Sequence, residues 1–269
     1  MIAKIACYPN GQSIEIIVDK TTKDIIAVIW RGKERKQGAY HEYPVERRDN
    51  QTVLDVVTEV QRHLEPSLAY RFACRVGVCG SCAMNVNGIP RWTCRTHVQT
   101  VLDDSKDGKI TIEPLRNLPV IKDLVCDMQP FFEKWQRAGG KFKGSQTRKS
   151  PLPAINHEST ARQNANAAIE CINCAVCYSA CDVVGWNKAY AGPAAMNRIW
   201  SLLNDERQVE RDSLLNKAFS DGNCGSCHSH GNCTLYCPVE LNPSRSVASI
   251  KKAGILGLAK LQASNEIDN

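Results

Sequence analysis

The hydrophobic pattern changes character about halfway along the chain. In the first half, Ile25–Trp30 is a short β-branched run, Tyr40–Val45 alternates, and Ile110–Ile112 is a third short segment of the same kind, so each predicts a strand. One helix is predicted among them. Thr52-x-x-Asp55 has the form of a capping box, and Val53, Val56, Val57, Val60 and Leu64 follow as an apolar stripe at helical spacing. Residues 139–153, GGKFKGSQTRKSPLP, combine Gly, Pro, Ser and positive charge without apolar periodicity and predict a linker. Beyond it the strand signals stop. Pro193 in a first helical turn leads into Met196, Ile199, Trp200 and Leu203 on one face, and Asn242-Pro243 opens another helix carrying Val247 and Ile250.

The expected organisation is an extension over residues 1–24, a mixed α/β domain over 25–138, a linker over 139–153 and a helical domain over 154–269. The extension contains a β-branched-rich stretch, Ser13–Val18, to which no function is assigned. A chain of 269 residues has the length for two domains, each with its own core. With 43% hydrophobic residues and a net charge of +6, the composition excludes wholesale disorder. The longest uncharged apolar runs, such as Ile25–Trp30 and Ile255–Ala259, fall well short of the ~18–20 residues of a spanning helix. The N-terminus has neither a sustained apolar core nor the Arg/Ser-rich character of a transit peptide, so a cytoplasmic location is expected.

Fourteen cysteines change this picture, because a reducing compartment does not sustain a disulfide framework. Eleven of them fall in three groups. Cys74, Cys79, Cys82 and Cys94 read C-x4-C-x2-C with a distant fourth member; Cys171, Cys174, Cys177 and Cys181 read C-x2-C-x2-C-x3-C; Cys227, Cys233 and Cys237 read C-x5-C-x3-C and precede Pro238. Cys7, Cys126 and Cys224 stand apart. A structural zinc site favours two chelating pairs separated by a longer stretch, which the first group does not provide. Its spacing is instead the plant-ferredoxin arrangement for a [2Fe–2S] cluster, and Gly77 and Gly80 let the backbone curl closely around it.

The second group is the bacterial-ferredoxin run, in which three cysteines hold one cubane and the fourth ligates another cluster. The third group supplies the complement. Cys171, Cys174, Cys177 and Cys237 would then hold a [4Fe–4S] cluster, while Cys181, Cys227 and Cys233 hold a second cluster through three thiolates, which suits [3Fe–4S]. Cys224 either completes a fourth position, making that cluster [4Fe–4S], or is a bystander thiol. Three clusters in one chain form a relay for single electrons. No G-x-G-x-x-G follows a strand and no G-x-x-x-x-G-K-[ST] occurs, so any flavin is expected on a partner subunit.

From about Asp24 to Lys252 the sequence resembles the iron–sulfur subunits of succinate dehydrogenase and fumarate reductase, the respiratory complex II family. The resemblance rests on RFACRVGVCGSCAMNVNG at 71–88, WTCRT at 92–96 and DMQPFFEKW at 127–135, followed by CINCAVCYSAC at 171–181, GPAAMNR at 192–198 and CHSHGNCTLYCPVELNPSR at 227–245. It implies an α+β chain in which an N-terminal β-grasp plant-type ferredoxin domain precedes an all-α bacterial-ferredoxin-like domain with [4Fe–4S] and [3Fe–4S] clusters. It also implies electron transfer between the FAD of a flavoprotein subunit, where succinate and fumarate interconvert, and a quinone beside membrane anchor subunits. The chain is thus expected to be peripheral, on the cytoplasmic face of the inner membrane, and to bind neither dicarboxylate nor nucleic acid.

In the family a tryptophan five residues after the last cysteine of the second group, and a histidine directly after the first cysteine of the third, lie near the quinone. Trp186 and His228 occupy those positions. An indole N–H and an imidazole can hydrogen-bond a quinone oxygen or relay its protons. The plainer alternatives are a packed core tryptophan and a solvated histidine. The sequence departs from the family at Asp182, where many members have Pro, at a serine replaced within Asp182–Val184, and at the extra Cys224. Trp186 favours succinate oxidation with quinone as acceptor over quinol-driven fumarate reduction. A zinc-bearing nucleic-acid module is disfavoured because the positive residues are scattered, the one dense run being Lys141, Lys143, Arg148 and Lys149. Other multi-cluster carriers share the cubane motifs but are not expected to carry CRVGVCGSC or DMQPFFEKW.

Overall fold

The computed structural model describes residues 24–220 and 222–267, with side chains to residue 257 in the last helix. Ser13–Val18 and Cys7 lie outside the described residues. Strand β1 (Ile25–Arg31) buries Ile25, Ala27 and Ile29 on one face, as its β-branched alternation requires. It pairs antiparallel with β2 (Ala39–Val45) and parallel with β5 (Lys109–Glu113). The sheet continues through β3 (Ala83–Val86) to β4 (Ile89–Trp92), giving the order β2-β1-β5-β3-β4. The strand at Tyr40–Val45 is an edge strand, and only Val45 is buried.

Helix α1 (Val53–Glu59) packs Val53, Val56 and Val57 against Ile25, Ile29, Ile110 and Ile112. Its capping box closes as expected: the Thr52 hydroxyl accepts from the Asp55 N–H at 3.3 Å, and the Asp55 carboxylate accepts from the Thr52 N–H at 3.0 Å. Leu64, expected on the same stripe, is exposed. The helix ends in a wider turn over Val60–Leu64, where the Glu65 N–H donates to the Val60 carbonyl at 2.7 Å, and the wider winding carries Leu64 off the buried face.

After α2 (Val98–Asp103) and β5, a hairpin of β6 (Val120–Lys122) and β7 (Val125–Cys126) leads into α3 (Gln129–Arg137). The rest is helical: α4 (Thr160–Ile169), α5 (Val176–Ser179), α6 (Asp182–Trp186), α7 (Pro193–Leu203), α8 (Arg211–Phe219), α9 (Asn232–Leu235) and α10 (Pro243–Ile267). The long helices form the scaffold and the short ones carry the cysteine loops. Met196, Ile199, Val247 and Ile250 are buried as their periodicity implies. The buried Asn197 ties three helices together, donating to the Ala168 carbonyl at 2.9 Å and accepting from the Ser246 hydroxyl at 2.9 Å.

Leu115, Leu118, Cys126 and Phe131 pack in the helical core, with Phe131 edge-on to Tyr178 at 5.4 Å. Asn117 donates to the carbonyls of Tyr178 and Cys181, both at 2.9 Å, so the segment leaving the sheet braces the cysteine-bearing loops. Residues 139–153 also touch the helical part: the Lys143 N–H donates to Gln208 at 2.8 Å, and Phe142 lies beneath the Arg207 guanidinium. No helix among the described residues is long and apolar enough to cross a membrane.

Candidate metal centres

The loop bearing Cys74, Cys79 and Cys82 has no regular structure, and its course depends on left-handed backbone at Arg75, Gly77 and Gly80. That curl aims the N–H groups of Val76 and Val78 at the Cys74 sulfur, each at 3.4 Å. These two hydrogen bonds, with one from Cys79, bring the Cys74 thiol down to about 6. Cys94 closes the ring from the turn after β4, where the Thr93 hydroxyl donates to the Cys82 carbonyl at 2.8 Å. Burial, and the neighbouring sulfur of Cys82, push the Cys94 thiol up to about 11. A Cβ at Gly77 would come within 2.8 Å of the Trp92 ring, so this position needs glycine for space as well as for its φ of +78°.

Cys171, Cys174, Cys177 and Cys237 line one cavity together with Ala194 and Leu241. Asn173 and Ala175 adopt left-handed conformations on either side of Cys174, which turns the loop around the cavity. Cys181, Cys227 and Cys233 line a second cavity, walled by Tyr190 and Val247. The Ser229 N–H donates to the Cys227 sulfur at 3.4 Å. Burial pushes Cys174 up to about 12 and Cys233 to about 11. Such thiols must lose protons to bind metal, so the metal's own charge has to hold them as thiolates. Among the described residues, no three His, Cys, Asp or Glu side chains converge on one ion-sized position. The cysteines ring wider spaces, with backbone N–H groups on their sulfurs, and this soft donor set fits iron–sulfur clusters.

The three sites adjoin in series. A Cβ at Gly80 would meet the Cβ of Cys174 at 2.5 Å, so the first loop lies directly against the second. Cys177 of the second site is close enough to Cys233 of the third for their charges to interact. Cys224 is fully buried in a 3-10 turn over Cys224–Ser226 and does not line the third cavity; its charged neighbours are Lys251 and Cys227.

At the far end, Trp186 is 62% exposed and tilts over His228 at 5.6 Å between ring centroids. A packed core role for Trp186 is therefore excluded. His228 is exposed on the rim of the third cavity, next to His230 at 6.1 Å. Asp182, at the position where the family often has Pro, faces Arg116 at 4.0 Å on the same rim. His230, Asn117 and Lys134 are absent from the residues expected at this site. Only Asn117 carries a local signal, since asparagine tolerates its φ of 65° better than most residues do.

Residues 26–133 match the family described as a 2Fe-2S iron-sulfur cluster binding domain, and residues 167–241 match a 4Fe-4S dicluster domain. The chain is 34% identical over 201 residues to the mitochondrial succinate dehydrogenase [ubiquinone] iron-sulfur subunit 1 of Oryza sativa subsp. japonica, covering 74% of this chain and 70% of that protein. It belongs to the family of succinate dehydrogenase and fumarate reductase iron–sulfur subunits. The fumarate reductase iron-sulfur subunit of Haemophilus influenzae, another of this family, is also 34% identical, over 74% of this chain and 80% of that protein. Among solved structures, a chain of the Mycobacterium smegmatis Sdh1 complex in the apo form superposes with a TM-score of 0.76 at 28% identity, over 87% of this chain and 96% of that one. Family membership thus spans both the sheet domain and the helical domain.

Proposed function

We propose that this subunit of the succinate dehydrogenase and fumarate reductase family relays single electrons from the flavin of a partner subunit to a membrane quinone. The observation that carries this reading is the row of three adjoining cysteine sites, joined at Gly80–Cys174 and at Cys177–Cys233. Cys74, Cys79, Cys82 and Cys94 hold a [2Fe–2S] cluster; Cys171, Cys174, Cys177 and Cys237 hold [4Fe–4S]; Cys181, Cys227 and Cys233 hold [3Fe–4S], with Cys224 a bystander. When bound, the clusters supply one-electron carriers. The chain's own residues fix the sulfurs and place N–H donors on them.

By sequence the chain divides into an extension (1–24), a β-grasp plant-type ferredoxin domain (25–138), a linker (139–153) and a bacterial-ferredoxin-like helical domain (154–269). The exposed Phe72, Val76 and Val78 around the first loop are apolar surface suited to cover by the flavoprotein. Trp186 and His228 at the opposite end are suited to a quinone held between this chain and the membrane anchor subunits, on the cytoplasmic face of the inner membrane. Succinate oxidation, with quinone as acceptor, is the operating direction, and the dicarboxylate stays on the flavoprotein.

In the assembled complex, Cys79→Ala is expected to abolish the [2Fe–2S] resonance and quinone reduction while leaving dicarboxylate binding to the flavoprotein intact. Loss of dicarboxylate binding in that variant would contradict the division of labour.

A further inference from the structure

We propose that Lys134 is a buried cation that raises the reduction potential of the cluster held by Cys181, Cys227 and Cys233, an inference that rests on the ligand assignment above. Lysine is rarely buried without a carboxylate partner, because its ammonium loses hydration that only a counter-charge restores. Lys134 on α3 is buried and lacks such a partner: none of the ion pairs among the described residues includes it. Its Nζ donates to the Tyr190 carbonyl at 3.0 Å and lies over the Tyr178 ring at 5.4 Å. The charged groups acting on it are two further cations, Lys188 and Arg137. This corner of the core is positive without a protein anion to balance it.

The two tyrosines that Lys134 touches connect it to the third site. Tyr190 walls the third cavity beside Cys181, Cys227 and Cys233, and Tyr178 lies in the chain between Cys177 and Cys181. A cluster on three thiolates carries net negative charge and gains one more on reduction, so a buried cation stabilises the reduced form more than the oxidised one. At an effective dielectric of about 20, a unit charge roughly 10 Å away shifts a one-electron equilibrium by about tenfold, or about 59 mV. Burial lowers Lys134 from the ordinary lysine range, and an anionic cluster opposes that shift. The effect makes the third site the better acceptor, favouring electron flow toward Trp186 and His228.

The test is a redox titration of the purified complex followed by electron paramagnetic resonance, on the native protein, Lys134→Gln and Lys134→Arg. Gln removes the charge and keeps an N–H donor on a side chain one atom shorter, and Lys134→Arg, which keeps the charge with a different donor geometry, separates loss of charge from loss of the contact to the Tyr190 carbonyl. The expected result is a drop of about tenfold in the third cluster's reduction equilibrium for Lys134→Gln, near-native behaviour for Lys134→Arg, and an unchanged [2Fe–2S] potential in both. An unchanged third potential in Lys134→Gln, or an equal shift of all three clusters, would overturn the proposal. Absence of a three-iron signal from the native complex would instead refute the ligand assignment beneath it.

Discussion

The contact between Gly80 and Cys174 is the narrowest point of the proposed relay, and Gly80→Ala probes it directly. The added methyl would lie 2.5 Å from the Cys174 Cβ and 2.7 Å from its Cα, with no flexible side chain to yield. Restoring van der Waals separation requires the two cysteine loops to part by about 1 Å, an overpacking that costs about 1–3 kcal/mol. The φ of +69° adds about 1–2 kcal/mol once a Cβ is present. Gly88→Ala supplies the control, because Gly88 has a φ of +79° with nothing within 4 Å of its added Cβ, and so isolates the backbone cost. In thermal unfolding of the complex, Gly80→Ala should fall below Gly88→Ala by the overpacking alone, roughly 2–12 °C at about 2–4 °C per kcal/mol. The magnetic coupling between the first two clusters should weaken only in Gly80→Ala. Equal melting points and unchanged coupling in the two variants would mean that the first and second loops are not in contact in the assembled protein.

Other consequences follow from single residues. Trp186→Ala removes an exposed ring and should leave the melting temperature nearly native, yet lower quinone turnover more than turnover with a dye that accepts electrons upstream; equal losses would make Trp186 structural. Cys224→Ser should leave the iron content and the third cluster's resonance unchanged, because Cys224 does not line that cavity; a lost iron would make it a ligand. The Arg207 side chain, with Arg162, holds the buried Asp205 carboxyl down to about 2. Relative to an ordinary 3.8 this contributes about 2 kcal/mol, present above pH ~4 and lost as pH falls from ~4 through ~2. The urea midpoint gap between native protein and Asp205→Asn should therefore be the same at pH 7 and pH 5 and shrink at pH 3.5; a gap that already closes at pH 5 would refute the assignment.

Much of this arrangement is legible in local sequence because its causes are local. Spacing alone relates Cys237 to the second group, since the C-x2-C-x2-C-x3-C run leaves a ligand owed from elsewhere, and the cavity holds Cys237 with Cys171, Cys174 and Cys177. The Thr52–Asp55 cap likewise spans three residues. Leu64 falls outside the reading because one hydrogen bond, Glu65 to Val60, changes the winding and no residue type announces it. Strands β3, β4, β6 and β7 have four residues or fewer, too short for an alternation to register. Asn117 and Lys134 act across 56 or more residues of chain, on Tyr178 and Tyr190, and such contacts exist only once the sheet domain is folded against the helices. The packing of Leu115, Leu118 and Phe131 into the helical core is invisible to periodicity for the same reason.

Iron and acid-labile sulfide per chain, measured on anaerobically purified complex together with resonance of its oxidised and reduced states, count the clusters directly. A 2+4+3 relay gives about nine irons, a three-iron signal in the oxidised state and a [2Fe–2S] signal on reduction. About ten irons without the three-iron signal would contradict the three-thiolate site, and zinc in place of iron would contradict the relay altogether.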